Sequence, residues 1–230
     1  MKITKKVKYN YKITEETLEK DIEEFIKLAQ KGNYHMDKMY QNEGLKIIKI
    51  YFRILNEKFK NNELEECKNC YHKLIPFLLT ASSGENDLFD YDDLLAKITK
   101  EFDDYIKNYF VCLVKTCEIN ELADKISEYA SHLDIYGFDS DKEILLQNLD
   151  KQSLEKLMNL MLIKTEGMTK KDRDKQDIVY FLMSIAEVLE DKERYLQLCD
   201  KFAGILTEKE IINLKREYDE DLVDIYLNKK

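Results

Sequence analysis

Apolar positions recur along this chain every three or four residues, the spacing that lays one stripe down an α-helix. Leu18, Ile22, Phe25, Ile26 and Ala29 form the first stripe. Thr14 is placed to cap its start, with Ile13 and Leu18 as a hydrophobic staple, and Gly32-Asn33 to stop it. A second stripe carries Tyr40, Gly44, Ile47, Ile48, Tyr51, Ile54, Leu55 and Phe59, and Asn61-Asn62 closes it. Asn62 is then expected to cap a third helix, with Leu64, Cys67, Tyr71, Leu74, Ile75 and Leu78 inward. Pro76 interrupts this third stripe. Its missing N–H and its ring predict a kink or a new short helix there.

Ser82-Ser83-Gly84 and Asn86 break the periodicity, which places the main loop and a hinge at 81–90. A long helix is expected next, with Leu94, Leu95, Ile98, Phe102, Tyr105, Ile106, Tyr109, Cys112 and Leu113 on one side. Another spans about 120–135 and ends near Gly137. Ser140-x-x-Glu143 reads as a capping box that opens the next. A helix from about Lys151 stops at Gly167. The last third predicts a helix over 172–189, with Ile178, Phe181, Leu182, Ile185, Ala186 and Leu189 inward. A second runs over 193–206, with Tyr195, Leu198, Cys199, Phe202 and Ile205 inward and Gly204 inside it. Thr207-x-x-Glu210 is a further capping box, with Leu206 and Ile211 as its staple. The helix behind it is expected to bury Ile211, Leu214, Tyr218, Leu222 and Ile225.

The pattern thus predicts an all-α chain of nine or ten antiparallel helices, in a compact helical array or a short α-solenoid. Residues 1–12 form a basic arm and residues 13–230 the helical domain, hinged at 81–90.

Composition reinforces this. Six Gly and one Pro in 230 residues leave too few turn-formers for a sandwich or barrel. They also leave no glycine cluster to cradle a phosphate. The net charge of −9 disfavours indiscriminate binding to nucleic acid or an anionic membrane. Only Arg53, Arg173, Arg194 and Arg216 are arginine, the residue that best recognises phosphates and bases. No run of apolar residues reaches the length of a membrane span, and an odd five cysteines suit reduced thiols. A cytoplasmic location is expected.

Leu182 to Ile205 resembles a tetratricopeptide-type helical hairpin. Leu182, Ile185, Ala186, Leu189, Leu198, Phe202 and Ile205 fall on the positions that pack within and between such repeats. Leu198 stands where that family prefers alanine, and Glu210 where it often has proline. No other window repeats the pattern at a period of about 34 residues. Aligning on Gly32-Asn33-Tyr34 would put Asp21 and Asp37 at core positions. The resemblance covers one hairpin. It implies degenerate helical-repeat architecture, a class that binds peptides or proteins on a concave face, and it carries over no binding residues.

Cys67-x-x-Cys70-x-His72 has the residue types of a metal or thiol–disulfide site. On a helix turning about 100° per residue, Cys67 and His72 point about 140° apart, and Cys70 and His72 about 160° apart. They therefore do not converge on one ion, and Cys67 and Cys70 read as core or boundary thiols. Cys112 and Cys117 diverge in the same way. Asp87, Asp90, Asp92 and Asp93, and Asp134, Asp139, Asp141 and Glu143, read as solvated helix starts. A calcium loop counted from Asp139 would need glycine where Ile144 stands. Glu101 with Asp104, and Asp172 with Asp174, could pair carboxylates, but spacing assigns them no pocket. His35, His72 and His132 are scattered.

The sequence accordingly assigns no catalytic, cofactor-binding or metal-binding residue. A non-enzymatic helical protein that binds another protein through a groove bearing aromatics is the expected function. The alternative is a nucleic-acid accessory factor that uses the arm bearing Lys2, Lys5, Lys6, Lys8 and Lys12, interleaved with Val7, Tyr9 and Tyr11.

Overall fold

A computed structural model describes residues 16–34, 43–81, 94–98, 102–133, 140–169, 171 and 176–218. Every regular element among them is a helix. No strand occurs there, and the one bridge joins Ala203 to Leu206. Ten helices of nine residues or more are joined by one of five residues. No described helix is long and apolar enough to cross a membrane. The chain divides into two compact units, Met1–Thr116 and Cys117–Lys230. Residues 82–90 of the expected hinge lie outside the described residues, as does the basic arm.

The first unit contains α1 (Leu18–Gln30), α2 (Glu43–Lys60), α3 (Leu64–Ala81), α4 (Leu94–Ile98) and α5 (Phe102–Thr116). α3 is its centre, packed against α1, α2, α4 and α5. The sequence accounts for this. Cys67, Cys70, Tyr71, Leu74, Ile75, Leu78 and Leu79 are all fully buried, and a helix apolar on more than one face can bury them only among several neighbours.

That burial bears on Pro76, where the expected kink or restart gives way to one helix running through to Ala81. Proline costs a helix interior about 3 kcal/mol. The apolar side chains around it offset a loss of that size, since each fully buried one contributes about 1.5–3 kcal/mol. The Thr80 hydroxyl also donates to the Pro76 carbonyl at 3.0 Å.

Two helix starts differ from expectation. α1 begins at Leu18, capped by Thr17, whose hydroxyl accepts from the Lys20 amide; Thr14 lies three residues upstream. Asn62 ends α2 and does not cap α3. It sits at φ +63°, while the Glu63 amide donates to the Lys58 carbonyl and the Asn62 amide to that of Phe59. Those two bonds are the left-handed stop that closes a helix. Gly32 makes the same stop after α1, at φ +76°. The stripe over 94–113 is described as two segments, α4 and α5, with residues 99–101 outside.

Ion pairs cross the first unit. Lys73 of α3 bonds Glu19 at 2.8 Å and also Glu23, both on α1. Lys58 of α2 bonds Glu63 and Glu66, each at 2.7 Å. Asp21, whose charge argues against burial although it lies on the α1 stripe, is only 2% exposed. It is tolerated because the Tyr51 hydroxyl of α2 donates to its carboxylate at 2.8 Å.

The second unit contains α6 (Ile119–Leu133), α7 (Ser140–Asn148), α8 (Lys151–Lys164), α9 (Gln176–Val188), α10 (Lys192–Lys201) and α11 (Glu208–Tyr218). α9 is its centre, touching α6, α7, α8 and α10. It buries Ile178, Val179, Phe181, Leu182, Met183, Ile185 and Ala186. Each unit is therefore a compact array around one central helix. Asp150 caps α8, accepting from the Ser153 amide at 2.8 Å. Asp191 caps α10, accepting from the Arg194 amide at 2.9 Å.

α10 ends at Lys201, earlier than periodicity suggests, and Gly204 lies beyond it at φ +106°. The Gly204 amide donates to the Leu206 carbonyl at 3.0 Å. The apolar spacing runs on through this turn because Phe202, Ile205 and Leu206 are buried all the same. The second capping box forms as expected, with Thr207 and Glu210 bonded reciprocally at 2.5 and 3.3 Å. In α11 the buried partner of Ile211 is Lys215, 1% exposed, while Leu214 is half-buried.

Candidate functional site

Two concave features lie in the first unit. Between α2 and α5 lies a cleft of about 290 Å³ lined by Asn56, Asp104, Tyr105, Lys107 and Asn108. Its residues recur on α5 at one-turn spacing, which turns Asp104 and Asn108 to the same side. Tyr105 forms an aromatic wall. Its ring stacks on Phe52 of α2 at 4.2 Å, and Phe52 is itself buried. Burial pushes the nearby Tyr71 hydroxyl far up from the usual tyrosine range, so it stays protonated. The cleft thus offers two amides, one cation, one carboxylate and one aromatic face.

A second, shallower depression of about 500 Å³ lies at the start of α3, lined by Asn62, Glu63, Glu65, Glu66, Lys115 and Thr116 among others. Its carboxylates are already engaged. Lys58 takes Glu63 and Glu66, and Lys68 takes Glu65 at 2.7 Å. The hydrogen bond from Lys58 holds Glu63 below the usual carboxylate range, and that from Lys68 does the same for Glu65. These groups tie the α2–α3 corner and are committed to each other.

The sequence-selected residues separate. Cys67 and Cys70 are fully buried on α3, as is Cys112 on α5. His72 is half-buried, its Nδ1 lying 2.6 Å from the Tyr109 hydroxyl. Cys117 is partly buried. No group of three His, Cys, Asp or Glu among the described residues is placed to hold a metal ion. Asp104 lines the cleft, while Glu101, Asp172 and Asp174 lie outside the described residues. So do His35, Asp87, Asp90, Asp92, Asp93, Asp134 and Asp139, and the side chains of His132, Asp141 and Glu143.

Reading by spacing missed Asn56 and Asn108, which carry no motif; only the approach of α2 to α5 makes a cleft of them. No family model, curated protein or solved structure matches the chain.

Proposed function

We propose that the chain is a non-catalytic helical protein that binds a short segment of another protein in the α2–α5 cleft. The composition of that cleft carries the reading. Each peptide unit has one N–H and one C=O to satisfy, and an asparagine amide supplies both a donor and an acceptor. Asn56 and Asn108 can therefore bond a peptide backbone whatever its side chains are. Tyr105 offers an aromatic face held in place by Phe52, the kind of rigid anchor that protein contacts favour. Asp104 and Lys107 allow charge matching at the rim. At about 290 Å³ the cleft is at the lower end of ligand pockets, which run from about 300 to 1,000 Å³, so it suits a few residues of chain. The tetratricopeptide resemblance of the α9–α10 hairpin, whose seven matched positions are all buried, points to the same class of function.

The test is affinity capture of the tagged full chain from cells of its source organism, with protein and nucleic acid measured in one eluate. A stoichiometric protein partner and no nuclease-sensitive material is the expected result. Nucleic acid without a protein partner would replace this reading with one based on the basic N-terminal arm.

A further inference from the structure

The α2–α5 cleft is lined by side chains that the protein leaves unused. Among the described residues, Asn56, Asp104 and Lys107 make no side-chain hydrogen bond and no ion pair. The depression at the start of α3 is the opposite case, its carboxylates already held by Lys58 and Lys68. The two charges in the cleft also differ. Lys107 is half-buried and Asp104 exposed, so water screens the ammonium less than the carboxylate. A partly desolvated cation without a counter-charge favours an incoming anion. Asn56 from α2 and Asn108 from α5 add amides that can both donate and accept.

We propose, on the reading of this cleft as a peptide site, that it captures the free C-terminus of a partner protein. Lys107 pairs with the terminal carboxylate, and Asn56 and Asn108 bond the last peptide units. The amides decide which carboxylate is meant. At a chain end the carboxylate sits one Cα from the last peptide unit, so Lys107 and an asparagine can hold both together. The carboxylate of an aspartate or glutamate stands further out on its side chain, which draws the backbone away from the amides. Asp104, one turn before Asn108 on the same side of α5, is left to accept from a backbone N–H further from the end. A volume of about 290 Å³, at the lower end of ligand pockets, suits an end of chain better than a segment that runs through. The opposite end is disfavoured, since Lys107 repels an N-terminal ammonium.

The test immobilises the tagged full chain and offers it N-acetylated tetrapeptide pools, randomised without acidic residues. One pool ends in a free carboxylate and one in a carboxamide. A third ends in a carboxamide and carries a fixed internal glutamate. Retention is read by mass spectrometry. The free-carboxylate pool is expected to be retained at least about tenfold better than either other pool. Lys107→Met, checked for unchanged helicity and Tm, should lower it to the carboxamide level. Equal retention of the first two pools, lost on Asn56→Ala, would overturn capture of a chain end and leave peptide binding standing. Retention of the glutamate pool at the free-carboxylate level would assign Lys107 to an acidic side chain instead. Free-carboxylate retention that Lys107→Met does not lower would place the carboxylate elsewhere and overturn the proposal. Retention of no pool would overturn the proposal and the peptide reading together.

Discussion

At the residue scale, Asp21 is a buried polar group placed by register and kept by a partner. Asp21 follows Leu18 by three positions and precedes Phe25 by four, so the helix carries it inward. The Tyr51 hydroxyl makes that position tolerable. Tyr51→Phe removes this donor while leaving the ring against Phe25, whose centroid is 5.5 Å away. It is expected to cost about 1–3 kcal/mol, read as a lower urea midpoint at an unchanged denaturant slope. This position was half legible in the sequence. The stripe predicts its direction, but an aspartate argues against burial, and its partner is 30 residues away. Lys215 is similar, four residues after Ile211. Cys67 and Cys112 were each legible as core residues. The packing of α3 on α5 was not, because no local pattern records which helices pack together.

The element scale is where periodicity succeeded most and where its failures share a cause. Helix stripes depend on side-chain burial, so they continue through breaks made by the backbone. Gly204 shows this: Phe202, Ile205 and Leu206 keep the apolar pattern while the chain leaves α10 and turns. Gly204→Ala would place a side chain at φ +106°, a region that glycine alone occupies easily. It is expected to destabilise by about 1–3 kcal/mol, seen as a drop in Tm. Pro76 fails the other way, since a helix surrounded by four others survives a residue that would end an exposed one.

The ties between elements respond to pH. The Lys73 hydrogen bond holds Glu23 below the ordinary 4.5. Burial pulls Lys73 down, but its bonds to Glu19 and Glu23 outweigh that and raise it above 10.5. The carboxylate contribution is present above its unfolded value and lost as pH falls through the lower folded one. The ammonium contribution is complete below 10.5 and lost as pH rises through its higher folded value. The gap in Tm between the parent and Lys73→Met is therefore expected to hold steady from about pH 6 to 9 and to narrow below about 4.5. A gap unchanged down to pH 2 would show that the ion pairs contribute nothing.

On the scale of the whole molecule, the scarcity of glycine and proline and the helical spacing together predict an all-α chain, and the described residues are all-α. Their arrangement was less legible. Short turns foretell neighbouring helices, yet α3 and α9 stand out as centres only through burial on several faces. Each unit has its own central helix and core, so each is expected to fold alone. Residues 117–230 expressed separately should give a helical far-ultraviolet circular dichroism spectrum and one cooperative thermal transition.

The proposed peptide binding belongs to this scale too, and its most direct test is a paired capture. The parent and an Asn56→Ala, Lys107→Glu variant are tagged, shown to have equal helicity and Tm, and used side by side on the same extract. At least tenfold less partner on the variant is expected, the loss of about 1.4 kcal/mol or more of binding free energy. Equal recovery on both would contradict the assignment of the α2–α5 cleft.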